Sequence, residues 1–361
     1  MRPIVDQEML QSAVLSMQNE KLVMGESVYK FEEEFARYCG VRYAVSTASG
    51  TAALQIALQS MGIEESDEVI TTPFSFFATS NAVIHAGAQP RFADVENTGF
   101  NLDPQKVEAR LTPKTRAIIP VHLYGHPARM DEFLDLAEDK GISIIEDDCQ
   151  AHGAEYDGRR VGSLGQVGCF SFYTSKNMTV CGDGGMIVTN DEQVADAARS
   201  FRDCGRASRY TMQRIGYTSR LNTVNAAIGR VQLRRLDKWN DARRRMANLY
   251  RRELEGAAGV ELPPAETASE TSVYHLFVIR SDHRDQLYLH LENSGVEAAI
   301  HYPIPIHLQA PYRTGYGYSE GTFPLAEKLA GRVLSLPLHP AITEEEVQTV
   351  SRLVRNSSIP D

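Results

Sequence analysis

The sequence predicts an α/β protein: a large, mainly parallel mixed sheet covered by helices, followed by a smaller α+β unit at the C-terminal end. Three observations carry this. Through the first two-thirds, short apolar runs alternate with helical spacing, the pattern of a sheet with helices on both faces. Beyond about residue 255, three separated runs suggest a smaller mixed unit. A length of 361 residues accommodates two domains and a large buried core.

Taken in order, Tyr43-Ala44-Val45-Ser46 reads as a strand entering a turn, and residues 50–61 as the helix after it. Asp67-Glu68-Val69-Ile70-Thr71 is a second strand, with helical spacing around 79–86. Further strands are expected at 90–95, 117–122 and 142–147, with a helix over 128–140 between the last two. Past Asp147 the order is less regular, and 168–173 and 185–189 read as strands flanking a lysine turn. From about 224 to 255 runs one long amphipathic pattern whose charges read as the solvated face of a connecting helix. Runs at 274–280, 286–293 and 344–354 complete the smaller unit, and 261–270 reads as a surface loop. The expected division is a large domain over 1–235 and a small domain over 236–361 that includes the connecting helix. The N-terminal residues are free, in this reading, to pack on the small domain.

A formal charge of −10 argues against nucleic acid or an anionic membrane as a partner. No apolar run approaches the roughly 20 residues a bilayer-spanning helix needs. The five cysteines, odd in number and without Cys-x-x-Cys spacing, suggest reduced thiols and no metal site. With no apolar signal core in Met1-Arg2-Pro3-Ile4-Val5-Asp6-Gln7-Glu8, a soluble cytoplasmic protein is expected.

The chemistry is concentrated in two places. Ile144-Ile145-Glu146-Asp147 is an apolar strand ending in acids, so the Asp147 carboxylate should emerge at the carboxyl edge of the sheet, where ligands gather. A surface or helix-capping role is the ordinary alternative for such an acid, Glu146 and Asp148 included. Downstream, Lys176 sits in a polar turn between Ser171, Ser175 and Asn177, with Gly182-Asp183-Gly184-Gly185 beyond it. A lysine and an acid so arranged can hold pyridoxal 5′-phosphate (PLP). The amine forms a Schiff base with the aldehyde, and the acid keeps the pyridine nitrogen protonated.

Other segments fit that pair. Ser49-Gly50-Thr51-Ala52 follows a strand and opens a helix, where free N–H groups and a hydroxyl can cradle a phosphate. Simple N-capping by Ser49 or Thr51 competes with that reading. In Phe74-Ser75-Phe76-Phe77, Phe76 is the choice for stacking on the ring, and Phe74 and Phe77 are assigned to the core. His301-Tyr302-Pro303-Ile304-Pro305 has a backbone stiffened by prolines, able to aim His301 and Tyr302 at a substrate, or it is a structural loop.

With these residues in view, the chain resembles the DegT/StrS-type sugar aminotransferases, PLP-dependent enzymes of the aspartate aminotransferase fold (fold type I). The resemblance runs from Gly25-Glu26-Ser27 to Ser335-Leu336-Pro337-Leu338-His339-Pro340 and is most specific at 146–150, 170–177, 182–185 and 216–229. It implies Lys176 as the Schiff-base lysine and Asp147 as the pyridinium partner. It also implies Gln150 near the PLP hydroxyl, Phe76 on the ring, and Ser171, Thr51 and the backbone of Gly50 and Ala52 near the phosphate. The family builds its site between two subunits of a homodimer, and a segment like Gly216-Tyr217-Thr218-Ser219-Arg220 reaches across. Thr218 stands where many members have an Asn that contacts the neighbour's phosphate, so the hydroxyl of Thr218 or Ser219 is the available substitute. Asp148 and Cys149 replace small residues common there.

Relatives with histidine at the lysine position are sugar 3-dehydratases, so Lys176 points to transamination. Residues 301–309, with Phe323-Pro324 and 335–340, are similar to members that aminate C3 of nucleotide-linked 3-keto sugars, with Arg220, His301 and Tyr302 on the substrate side. The resemblance thus implies amino transfer from L-glutamate to such a sugar. Members acting on C4 keto sugars or keto-cyclitols share the same core, and a non-catalytic regulator keeping the fold is the remaining alternative.

Overall fold

The computed structural model describes residues 4–357, so the outer ends of the two expected domains, 1–3 and 358–361, lie outside the described residues. The alternating runs form one seven-stranded sheet. Across it lie Tyr43–Thr47, Gly185–Thr189, Val167–Ser171, Ser143–Asp147, Thr115–Ile119, Glu68–Thr71 and Gln89–Phe92. Neighbours are parallel except at Gly185–Thr189, which is antiparallel to the strands on both sides. Because side chains alternate along a strand, Ile144 and Ile145 enter opposite cores. On one face, Leu54, Ala57 and Leu58 of the helix Gly50–Ser60 pack with Ala195 and Ala198 of Glu192–Arg202. On the other, Phe31 and Phe35 of Glu26–Cys39 meet Phe170 and Phe172, and Phe133 of Met130–Lys140 meets Ile118 and Ile144. Each fully buried phenylalanine contributes about 1.5–3 kcal/mol.

Two prolines explain where the strand ends differ from the expected ones. Pro120 lacks an N–H and ends the expected 117–122 strand at Ile119, while Pro90 is tolerated because Gln89–Phe92 is a sheet edge.

A second core surrounds the antiparallel pair Phe277–Arg280 and Val333–Leu336, covered by Leu236–Leu254, Arg284–Asn293 and Glu344–Arg355. The Thr343 hydroxyl and the Glu346 carboxylate cap the last of these helices reciprocally. The long charged pattern is two helices, Thr223–Leu233 and Leu236–Leu254, not one. The break falls at Arg234 and Arg235, which pair with Glu8 and with Asp6 and Glu8 beside the N-terminal helix Gln7–Asn19. That helix packs on Thr223–Leu233 through Met9, Ile228 and Val231, with Trp239 against the same cluster. The N-terminal residues therefore sit at the junction of the two parts. Arg243 also departs from the solvated-face reading: it is buried and donates to the carbonyls of Tyr274, His275 and Leu338. The expected loop at 261–270 ends in the short strand Glu270–Thr271, paired with Glu155–Tyr156. Among the described residues no helix is long and apolar enough to cross a membrane.

Candidate active site

The parallel strands deliver their carboxyl ends to one place. The turns after Thr47, Thr71, Asp147 and Ser171 surround a cavity of about 490 Å³, within the range of small-ligand sites. Gly50, Thr51, Phe76, Asp147, Gln150, Ser171, Lys176, His301 and Tyr302 all line it. Ala52, Thr218 and Arg220 do not.

Asp147, the last residue of its strand, is buried. Its Oδ2 accepts from Thr79 Oγ1 at 2.7 Å and its Oδ1 from the Cys149 amide at 3.2 Å, so the carboxylate is aimed by two donors. Thr79 in turn lies 3.0 Å from Ser75 Oγ. Thr79 and Ser75 carry no sequence signal that links them to Asp147; only the packing of the helix Ala78–His85 beside the strand does. Lys176 follows the strand Val167–Ser171, its backbone N–H turned back onto the Tyr173 carbonyl at 2.9 Å. Among the described residues its Nζ has no hydrogen-bond partner. Burial holds the amine below the ordinary lysine range, against the raising effect of Cys149 and Asp147.

The phosphate-type turn is legible in detail. Ser49 Oγ accepts from the Ala52 amide at 3.1 Å, so Ser49 is the N-cap and Ala52 has no free N–H to offer. Gly50 and Thr51 are the helix-start residues left at the cavity. A Cβ on Gly50 would lie 2.6 Å from Ser171 Cβ and 2.9 Å from Cys149 Sγ, which no side chain tolerates. Gly50→Val is therefore expected to lower stability by about 1–3 kcal/mol through overpacking, and to weaken anion binding at the turn. Urea midpoints with and without inorganic phosphate or PLP check both.

Gln150 is locked by two contacts: its Oε1 accepts from the Tyr124 amide at 2.9 Å, and its Nε2 donates to Tyr302 Oη at 3.2 Å. Burial pushes the Tyr302 phenol well up, so it remains a neutral donor. His301 Nδ1 is 2.9 Å from Ser335 Oγ, and its carbonyl accepts from the Tyr124 hydroxyl. The Phe76 ring is 56% exposed and 6.1 Å from that of Tyr302, tilted by 37°. Phe74 is buried in the core as expected, and Phe77 packs against the same cluster.

Thr218 and Arg220 belong to another surface. Arg220 pairs with Asp203, and Thr218 is exposed, its Oγ1 3.4 Å from Cys204 Sγ. Ser219 is turned into its own chain, its hydroxyl accepting from the Ala48 amide. Neither Thr218 nor Arg220 meets the cavity of the chain that carries it.

Glu146 and Asp148 are not surface or capping acids; both are fully buried. Glu146 accepts from the amides of Gly162, Leu164 and Gly165 and lies 3.2 Å from His122 Nε2. Asp148 Oδ2 accepts from the Cys169 amide, and burial with the neighbouring Glu146 and Asp147 pushes its carboxyl well above the usual range. His122, Glu146 and Asp148 stand close enough to ligate a cation. Yet His122 Nδ1 accepts from the Ala128 amide at 2.9 Å, so the proton of the neutral ring is on Nε2. A protonated nitrogen donates and cannot ligate. His122 and Glu146 form a hydrogen-bonded brace behind the strand with Asp148 Oδ1 3.4 Å from the same His122 Nε2, and of the three consecutive acids only Asp147 lines the cavity.

His152 lies beside the same strand end, its ring 5.4 Å from that of Phe170 and 5.8 Å from that of Phe172. Its nitrogens find at most a weak contact with the Ser171 backbone, and burial and Lys176 depress its titration to about 3. The unfolded chain, with a histidine value of about 6.5, takes up the proton first as pH falls. Stability from this residue is complete above that value and is lost progressively toward the folded value. His152→Phe should therefore leave the urea midpoint at pH 7 little changed and raise it at pH 4.5 relative to the parent.

The comparisons agree with this architecture. A pleiotropic regulatory protein of Geobacillus stearothermophilus is 42% identical over 335 residues, covering 92% of this chain and 90% of that protein. A dTDP-3-amino-3,4,6-trideoxy-alpha-D-glucose transaminase of Streptomyces venezuelae is 42% identical over 336 residues, 93% of this chain and 88% of that one. The crystal structure of S. venezuelae DesV in complex with a ketimine intermediate has a TM-score of 0.95 at 40% identity, over 98% of this chain and 95% of that one. The family profile matches residues 3–355. A match that spans nearly the whole chain, on a fold shared this closely, has one consequence: the protein belongs to the DegT/DnrJ/EryC1/StrS aminotransferase family.

Proposed function

We propose that this aminotransferase moves an amino group from L-glutamate to C3 of a nucleotide-linked 3-keto sugar, with Lys176 and Asp147 as its catalytic residues and PLP as its cofactor. The observation that carries the reading is the convergence of a half-buried lysine, its amine unpartnered among the described residues, and an oriented, buried carboxylate on one cavity. PLP is the cofactor of this family, and three features of the chain fit it. The Lys176 amine is without a hydrogen-bond partner among the described residues, Asp147 is held by donors on its flanks, and Gly50 and Thr51 open a helix at the cavity wall with only Ser49 engaged in capping.

When bound, PLP supplies an electron sink for the electron pair left at the donor's α-carbon. Lys176 is the residue that would hold it covalently. Lys176 would also act as the base and acid that moves a proton between the donor's α-carbon and the cofactor's C4′, a role that needs the neutral amine burial favours. Asp147, aimed by Thr79 and Cys149, would keep a proton on the ring nitrogen. The Gly50 and Thr51 amides with the Thr51 and Ser171 hydroxyls would hold the phosphate. Gln150 would meet the ring hydroxyl, Phe76 the ring, and His301 and Tyr302 the sugar.

Thr218 and Arg220 act, in this reading, in the site of a second copy. Support comes from their position away from their own cavity and from exposed apolar residues nearby, such as Met212 and Ile215. We assign residues 1–235 to a large domain, 236–361 to a small one, and the protein to the cytoplasm, where its unpaired cysteines suit a reducing environment. The regulatory name of one relative does not weaken the catalytic reading, because the lysine–aspartate pair a scaffold has no use for is intact here. The Streptomyces venezuelae transaminase, equally similar, supports C3 of a dTDP-type sugar.

The test is an absorption spectrum of the purified protein with PLP, before and after L-glutamate. A lysine-bound band that converts to a pyridoxamine band supports both lysine and donor. A band that glutamate leaves unchanged rejects the donor, and no band rejects Lys176. A panel of 3-keto and 4-keto nucleotide sugars and keto-cyclitols then decides regiochemistry.

A further inference from the structure

The helix Pro324–Arg332 has no cap of its own. Phe323, at the N-cap position, carries no side-chain acceptor, and Pro324 has no N–H, so the first amides left open are those of Leu325 and Ala326. Both are taken by Asp94, more than two hundred positions earlier in the chain. Its Oδ2 accepts from Leu325 at 3.0 Å and its Oδ1 from Ala326 at 2.9 Å. Oδ1 also accepts from the Val95 amide at 2.9 Å, and the residue is buried. Asp94 follows the edge strand Gln89–Phe92, so the large sheet supplies the cap that the helix lacks. A carboxylate at a helix start is favoured by the helix dipole, and moving the helix away would strand that buried charge on a single donor. Phe323, Ala326 and Leu329 also share one core with Phe92 and Val95.

The helix in turn holds both ends of the segment that carries His301 and Tyr302. At its far end it runs into Val333–Leu336, where Ser335 exchanges backbone hydrogen bonds of 2.8 and 3.1 Å with Ala299 and its hydroxyl meets His301 Nδ1. In its first turn, Glu327 Oε1 accepts from the Phe323 amide and lies 3.0 Å from His307 Nε2. We propose that Asp94 is a positioning residue for the sugar side of the cavity. By capping Pro324–Arg332 from the sheet edge, it fixes that helix, and through Ser335 and Glu327 the segment 301–307, where His301 and Tyr302 line the cavity. The proposal rests on the reading of His301 and Tyr302 as sugar-side residues.

The test compares PLP-loaded wild type with Asp94→Ala and Asp94→Asn. Losing the cap lowers the fraction of molecules with the segment in place, and apparent affinity falls with that fraction. KM for the keto sugar should rise roughly 2- to 30-fold in Asp94→Ala, the factor that corresponds to a lost cap. Asp94→Asn, whose one oxygen can still accept, should fall between. The glutamate half-reaction, followed by absorbance, should keep its rate. Loss of folded protein would lower the active fraction and leave KM where it is, so an unchanged KM overturns the proposal. Hydrogen exchange gives a readout that needs no substrate: peptides 301–309 and 324–332 should exchange faster in Asp94→Ala, and 143–147 should not. Wild-type exchange at 301–309 in that variant also overturns the proposal. If Asp94→Ala does not fold, Asp94→Asn carries both readouts. A wild type that aminates no keto sugar rejects the functional reading alone, and exchange still decides the role of Asp94.

Discussion

Replacing Lys176 with alanine is expected to reduce turnover to the level of a no-enzyme control, with loss of proton transfer alone costing roughly 10²–10⁴-fold. The cavity around it should survive. Lys176 is half-buried and its amine has no hydrogen-bond partner among the described residues, so its removal deletes a partly desolvated polar group and no bond. Thermal unfolding of the cofactor-free variant should occur at or above the wild-type temperature, while PLP still binds through Gly50, Thr51 and Ser171. Loss of activity with intact PLP uptake and stability separates a chemical role from a structural one. Turnover above the control would overturn the assignment. In the wild type, the limb of the pH–rate profile that reports Lys176 should lie below the ordinary lysine range, since burial favours the neutral amine.

The second large effect is expected from Asp147→Asn. The amide keeps the shape, its single oxygen can still accept from the Cys149 amide and its NH2 can donate to Thr79 Oγ1, but it brings no charge to the ring nitrogen. Leaving one partner of a buried ion pair alone costs about 3–5 kcal/mol, so the glutamate half-reaction should slow by roughly 10²–10⁴-fold. Without PLP the variant should be at least as stable as wild type, because an unpaired buried carboxylate has gone. The stabilisation that PLP adds should shrink, since it follows the ratio of ligand concentration to Kd. Urea unfolding with and without PLP, beside stopped-flow absorbance, checks both halves. An unaltered half-reaction would remove Asp147 from the chemistry.

The strands were legible because local patterns suffice for them. Ile144 and Ile145 alternate into two cores, and a strand ending in Asp147 can only deliver that side chain to the sheet's carboxyl edge. Phe74 read correctly as core for the same reason. The break at Arg234 and Arg235 was not legible, because it depends on Asp6 and Glu8, more than two hundred positions away in the chain. Arg243 looked like solvent-facing charge and is instead buried against three carbonyls of the second core.

The chain alone determined the α/β class, the lysine and acid, and the glycine turn, with capping by Ser49 left as a competing reading of that turn. Each of these follows from residue type and short spacing, which local backbone geometry translates directly into position. Tertiary structure decided the rest. It aimed Asp147 with Thr79, brought Asp94 to the start of the helix Pro324–Arg332, buried Glu146 and Asp148 around His122, and turned Thr218 and Arg220 away from their own cavity. These contacts join separate elements, and their partners are selected by how strands and helices pack across the sheet. No periodicity along the chain encodes that packing.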